Sequence, residues 1–172
     1  MRHILTGNDI MATSDTAHLQ HEALVGGVSN AFFNGFIAWL LLRNGPALAW
    51  GGEHSFAVDV IATSLLLPLI IALIVIPLQR SKLSRGKLHS INLGAGSRLQ
   101  AIADRFPTST FKSALLFGLL GICLIAPLTL AGFFALGIES VAPLHYAVFK
   151  GIWAGLMAAV LVLPMVLLAL RN

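Results

Sequence analysis

Four apolar runs, each long enough to cross a lipid bilayer, constrain this chain more than any other feature. A helix rises 1.5 Å per residue, so about 20 apolar residues span the hydrocarbon core. The runs are residues 23–42, 56–78, 113–136 and 144–170. Prolines inside them predict kinked helices rather than interruptions. The sequence therefore predicts an all-α integral membrane protein whose four transmembrane helices follow an N-terminal segment, residues 1–22.

The composition agrees with a chain dissolved in lipid. Hydrophobic residues make up 57% and charged residues 10%, whereas an ordinary soluble domain has about 45–50% and about 25%. Residues 23–172 therefore form one transmembrane domain. The net charge of +4 is concentrated beside the apolar runs, so we expect no nucleic-acid partner. Cys123 is the single cysteine, which excludes an intramolecular disulfide and cysteine-based metal motifs.

A basic linker, residues 79–112, separates the two pairs of runs. It holds seven of the eleven Lys and Arg residues, with Asp104 as its single acid. Short loops rich in Lys and Arg stay in the cytoplasm, so we expect a plasma (inner) membrane protein with both termini cytoplasmic. Anionic lipid headgroups are the expected partners of its basic residues. These are Arg80, Lys82, Arg85, Lys87, Arg98 and Arg105.

Within the linker, Ser97 is placed to cap a short helix that ends before Pro107. Leu99, Ile102 and Phe106 share one face of it, the pattern of a helix lying on a membrane surface. A solvated basic loop is the alternative. Upstream of the first run there is no continuous apolar stretch, so we expect no signal peptide. Met11 is a candidate start besides Met1.

The two halves of the chain align when one is shifted by 91 residues. This shift places His54 on His145, Asp59 on Lys150, and Arg80 on Arg171. The alignment predicts two parallel helical hairpins. Apolar runs also align with each other by coincidence, which is the alternative explanation.

Asp59 and Lys150 are charged residues inside predicted spans. A charge at the centre of a transmembrane helix costs about 2.5–3.5 kcal/mol on insertion scales, so such residues usually face the bundle and pair. We expect an Asp59–Lys150 ion pair that handles an ion or lines a solute path. The alternative is that each side chain reaches water at the nearby interface.

Two histidine-containing groups suggest cofactor ligation. The first, at the outer helix ends, fits a b-type haem or a metal and comprises His54, His145, Glu53 and Glu139. The second shares one face of a cytoplasmic helix and fits a divalent metal; it comprises His18, His21 and Glu22. Ordinary interfacial or solvated residues are the alternative in both cases, and the cofactor stays undetermined.

A seam of small and amide residues runs along the first predicted span. Gly26, Asn30 and Asn34 recur every four residues, with Gly27 beside them. The fourth span carries a GxxxG pattern at Gly151 and Gly155. Small residues allow close helix packing, which favours an interface. A pore lining for Asn30 and Asn34 is the alternative.

Motifs of phosphate-binding loops and of nucleophilic hydrolases are missing from the sequence, so nothing points to an enzyme. Three functions remain. The first is a homo-oligomeric transport or permeation unit for an ion or small solute. The second is an accessory or assembly subunit of a larger membrane complex. The third is a membrane redox protein that binds haem or a metal.

Overall fold

The computed structural model describes residues 7–91 and 98–171; Met1 and Ser97 lie outside them. Four long helical segments dominate the fold, the third of which contains a π-helical turn. The elements in chain order are α1 (Gly7–Leu42), β1 (Leu48–Ala49), α2 (Phe56–Ser84), α3 (Arg98–Arg105), α4 (Thr110–Leu120), the π turn (Gly121–Ile125), α5 (Ala126–Ala135), β2 (Ser140–Val141) and α6 (Pro143–Leu170).

Four helical segments of the described chain are long and apolar enough to cross a membrane. They are Thr16–Leu42, Phe56–Ser84, Thr110–Ala135 and Pro143–Leu170. Each overlaps one of the predicted apolar runs. The prediction of an all-α, multi-pass membrane protein is therefore confirmed.

Two helix boundaries differ from the predicted spans by more than three residues. The helix α1 begins at Gly7, well before residue 23, because the polar residues ahead of the apolar run still support a helix. The helix α2 continues to Ser84 rather than 78. Gly86 stops it there with φ +68°, the left-handed conformation that glycine adopts readily. The Gly86 N–H donates to the Leu83 carbonyl, and the Lys87 N–H to the Lys82 carbonyl, as in a Schellman motif.

The π turn lies between α4 and α5. Pro127 is the second residue of α5 and has no N–H to donate, so the regular hydrogen-bond ladder cannot continue unchanged through it. The helix widens to the π form just before the proline instead of ending. Thr129 Oγ1 donates to the Ile125 carbonyl at 2.8 Å. In the third span the predicted effect of a mid-span proline is therefore a π turn. The helix α2, in contrast, continues as an α-helix through Pro68 and Pro77.

The two ends of the helical bundle are held differently. At one end β1 and β2 pair antiparallel, with Leu48 opposite Val141; we call this the strand end. At the other, the Ile91 N–H donates to the Leu170 carbonyl at 2.8 Å; we call this the basic end. Buried apolar side chains form one cluster between α2, α4 and α6 and a smaller one at the strand end.

The helix α1 packs chiefly along α6, through the small residues noted in the sequence. A Cβ atom added to Gly155 would lie 2.8 Å from the Gly27 carbonyl oxygen, and one added to Gly151 would lie 2.9 Å from the Ala31 carbonyl oxygen. Gly35 faces Gly151 in the same seam. Only glycine therefore permits this separation between α1 and α6.

Candidate functional site

Asp59 is positioned by the start of α2. The Ser55 hydroxyl caps this helix by accepting from the Val58 N–H at 3.2 Å, and itself donates to the Trp50 carbonyl at 2.6 Å. The cap fixes the first turn, where Asp59 lies. A negative charge is favoured there because the helix dipole presents its positive end.

Lys150 and Tyr146 approach Asp59 from α6. They lie four residues apart and so project from the same face of that helix. Lys150 Nζ lies 2.5 Å from Asp59 Oδ1 and 2.7 Å from Oδ2. The Tyr146 hydroxyl donates to Asp59 Oδ2 at 2.5 Å. The structure thus brings together within one chain the two charged residues that the sequence singled out.

Burial differs between the members of this cluster. Side-chain exposure is 13% for Lys150 and 33% for Asp59, and Tyr146 is buried. Tyr146 belongs to the strand-end apolar cluster, together with Phe56 and Val60. The ammonium group is therefore shielded, whereas the carboxylate retains access to its surroundings.

A cavity of about 360 Å³ lies beside the ion pair, between α1, α2 and α6. Asp59, Tyr146 and Lys150 form part of its wall. Glu53, His54 and Ser55 line it at the strand end, and apolar residues of α1 and α2 complete it. We call this space the ion-pair cavity. It combines a few polar groups with an apolar wall, as small-molecule sites do.

The outer histidine group is divided. His54 and Glu53 line the ion-pair cavity, whereas Glu139 lines a separate hollow with Trp50. His145 is exposed and is not among the residues that line the ion-pair cavity. Over residues 7–91 and 98–171, no three His, Cys, Asp or Glu side chains form a group that could hold a metal ion.

The predicted metal group on α1 meets side chains of α2, and within the group His18 Nε2 lies 3.9 Å from Glu22 Oε1. His18 Nε2 lies 3.1 Å from Gln79 Oε1, and Glu22 accepts from Lys82 Nζ at 2.7 Å. His21 is exposed. These contacts join α1 to α2 at the basic end.

The side chains of Asn30 and Asn34 form hydrogen bonds with the backbone of α1 itself. Their side-chain amides donate to the carbonyls of Gly26 at 2.8 Å and Asn30 at 3.0 Å. Neither residue lines the ion-pair cavity. Gly26 packs against Val162, and Gly27 against Gly155 and Ala159, so the glycines of the seam form the α1–α6 interface.

The basic linker residues divide into engaged and exposed groups. Arg80 donates to the Thr108 carbonyl at 2.8 Å, and Lys82 pairs with Glu22. The helix α3 lies within the segment where the sequence predicts a short helix; Ile102 is exposed and Phe106 contacts Phe117. The exposed basic side chains are Arg85, Lys87, Arg98, Arg105 and Lys112.

Two residues important to this geometry were not singled out as site residues from the sequence. Tyr146 resembles an ordinary interfacial tyrosine, but its spacing of four from Lys150 is a usable signal. Arg171 donates to the carbonyls of Ala103 and Phe106 and so attaches the C-terminal end of α6 to α3. Comparison with protein-family models, with curated proteins and with solved structures gave no match.

Proposed function

We propose that this chain is a small membrane transport unit that works as a homo-oligomer and binds an ion or small solute at the Asp59–Lys150 pair. One observation carries the proposal: a neutral ion pair between two membrane-spanning helices forms part of the wall of a cavity. Charges within spans are costly and are usually functional.

The geometry allows a ligand in the cavity to compete with Lys150 for the carboxylate of Asp59. A carboxylate offers about four lone-pair sites, and Lys150 and Tyr146 occupy three of them. A cation or hydrogen-bond donor in the cavity takes the fourth and weakens the bond to Lys150. Because this bond joins α2 to α6, binding alters the contact between two spanning helices. This is the coupling that a transport cycle requires.

The homo-oligomer follows from the surroundings of the cavity. Between Ser64 and Gln79, on the way from the cavity to the basic end, all buried residues of α2 are apolar. Leu67, Ile71 and Ile76 are among them. The helix α1 leaves a large apolar face exposed, which includes Phe32 and Phe33. A second copy packed on the Phe32 side of α1 provides the remaining wall of a path and leaves the side of Ile37 and Leu41 open to lipid.

The orientation places the strand end outside and the basic end in the cytoplasm of a cell with a plasma (inner) membrane. The exposed arginines and lysines of the linker support this, because positive loops remain on the cytoplasmic side. At the strand end, Arg43 is accompanied by Glu53 and Glu139. The exposed linker cations lie where they meet anionic headgroups.

The parallel repeat has support of its own. Helix α1 packs against α6, and α4 packs against α2, so the first helix of each half contacts the second helix of the other. Asp59 and Lys150 hold equivalent positions and meet each other. Arg80 and Arg171 are also equivalent, and both donate to carbonyls between Ala103 and Thr108. Two related hairpins around a common axis produce this pattern.

The test is flux in proteoliposomes that contain the purified protein. A membrane potential is imposed, and the movement of protons, K⁺, Na⁺, chloride and small organic cations is measured. We expect one of these to move faster than in protein-free liposomes, and Asp59→Asn to abolish the difference. Glu139→Gln, a carboxylate change at the same end outside the ion-pair cavity, is the control. Two results together contradict the proposal: light scattering shows a monomer, and every flux equals that of protein-free liposomes.

An accessory subunit is the second candidate, favoured by the exposed apolar face of α1. That face accepts a different protein as readily as a second copy. Purification in mild detergent distinguishes the two. A homo-oligomer supports the transport unit, whereas another protein in fixed ratio supports the accessory subunit.

A further inference from the structure

We infer that the ion-pair cavity binds a lipophilic monocation, an organic cation with an apolar body, that enters sideways from the membrane. This inference names a ligand class for the site of the proposed function and rests on that proposal. Three properties of the cavity carry it: its charge, the nature of its wall and its size.

The charge of the cavity favours a positive ligand. Glu53 and Asp59 contribute two negative charges, and Lys150 contributes one positive charge. The ligand also meets the acid first, because Asp59 is 33% exposed and Lys150 13%. An anionic head would face the more exposed carboxylate and be repelled.

The wall of the cavity favours an apolar ligand body. Ile37 and Leu41 of α1 and Val58 of α2 line it and are also 50%, 75% and 64% exposed. In a membrane-spanning bundle such exposed apolar side chains face lipid. The cavity wall is thus continuous with the lipid-facing surface between α1 and α2. A ligand dissolved in the bilayer reaches Asp59 without crossing a polar barrier.

The size of the cavity limits the ligand to a single small molecule. A volume of about 360 Å³ lies near the lower end of the range for small-molecule sites. The polar groups are confined to Asp59, its partners and the three residues at the strand end. One charged centre surrounded by apolar groups matches this distribution, whereas a polyvalent or sugar-like solute does not.

The test is equilibrium dialysis of the purified full-length protein in a neutral detergent at about pH 8. Tetraphenylphosphonium is the cationic probe, and tetraphenylborate is its anionic counterpart of nearly equal shape. We expect saturable binding of the cation and none of the anion. Glu53→Gln, an exposed position that leaves the fold intact, weakens cation binding several-fold. The matched control, Glu139→Gln, leaves it unchanged.

Variants of the pair make the test sharper. Asp59→Asn reduces tetraphenylphosphonium affinity at least tenfold, and Asp59→Asn/Lys150→Met does the same without leaving an unpaired ammonium group. Lys150→Met removes the competitor for Asp59, so it keeps or increases the affinity. Preferential binding of tetraphenylborate, or loss of cation binding in Lys150→Met with Asp59→Asn unaffected, overturns the inference. Binding of the cation without flux in proteoliposomes refutes transport but leaves the ligand class standing.

Discussion

Lys150 Nζ lies within 2.7 Å of both carboxylate oxygens of Asp59, although the residues are 91 positions apart in the sequence. The bond joins α2 to α6 and cancels two charges inside membrane-spanning segments. Tyr146 adds a third hydrogen bond and is itself buried in the apolar cluster of the strand end. The pair therefore connects the packing of the bundle with the cavity beside it.

The first prediction concerns the contribution of the ion pair to stability. Asp59→Asn leaves a shielded ammonium group without its counter-charge, and Lys150→Met leaves a carboxylate that is one-third exposed. We expect Asp59→Asn to cost about 2–3 kcal/mol and Lys150→Met about 1–2 kcal/mol. Unfolding in detergent micelles, followed by circular dichroism, measures both.

The double variant Asp59→Asn/Lys150→Met is the control for this prediction. The asparagine oxygen still accepts from Tyr146, and no unpaired charge remains. The loss of unfolding free energy in the double variant should be smaller than the sum of the losses in the two single variants, by about 1 kcal/mol or more. Additive costs would mean that the two residues do not interact in the folded protein.

The second prediction concerns the close approach of α2 to the π turn. A Cβ atom added to Gly121 would collide with the Ser64 carbonyl oxygen, so Gly121→Ala must displace one helix. We expect a loss of about 1–3 kcal/mol. Gly132→Ala is the matched control in the same span, because nothing lies within 4 Å of its added Cβ. Equal melting temperatures for the two variants would exclude the close contact.

The third prediction concerns the attachment of α3. Arg171 donates to the carbonyls of Ala103 and Phe106, so Arg171→Gln should release α3 from the end of α6. Trypsin should then cleave after Arg98 and Arg105 several-fold faster than in the unmodified protein. Arg85→Gln, at an exposed position, should leave the rate at these sites unchanged. Unchanged cleavage in Arg171→Gln would show that other contacts hold the linker.

The fourth prediction concerns orientation. In a background with Cys123→Ser, a single cysteine is placed at the strand end by Glu53→Cys or at the basic end by Lys87→Cys. A membrane-impermeant maleimide applied to intact cells should label the first. The second should react only after the membrane is permeabilised. The reverse pattern would place the basic end outside, against the charge distribution.

The sequence was sufficient to predict the membrane helices because length and hydropathy determine which segments enter lipid. The high cost of charge in a span was also sufficient to predict Asp59 and Lys150 as site residues. Helix pairing could not be predicted, because apolar surfaces in lipid provide no hydrophobic drive towards a particular neighbour. The contact of Gly27 with Gly155 therefore became visible only in the structure.

The surroundings of the α1 histidines could not be predicted for a related reason. His18, His21 and Glu22 have spacings that suit a metal on an isolated helix. In the fold, α2 supplies Gln79 and Lys82, which engage His18 and Glu22. Spacing within one helix cannot show what a neighbouring helix offers. For the same reason Tyr146 could not be predicted as a site residue, because its role depends on the position of Asp59 on another helix.

The measurement that tests the central claim most directly is solute flux through the folded double variant Asp59→Asn/Lys150→Met. This variant removes both charges of the pair while retaining the acceptor for Tyr146. Proteoliposomes with equal amounts of variant and unmodified protein are compared under the same membrane potential. We predict that the variant folds, with a stability within about 1–2 kcal/mol of the unmodified protein, and shows only the flux of empty liposomes. Unreduced flux through the variant would contradict the account and make the ion pair a purely structural contact.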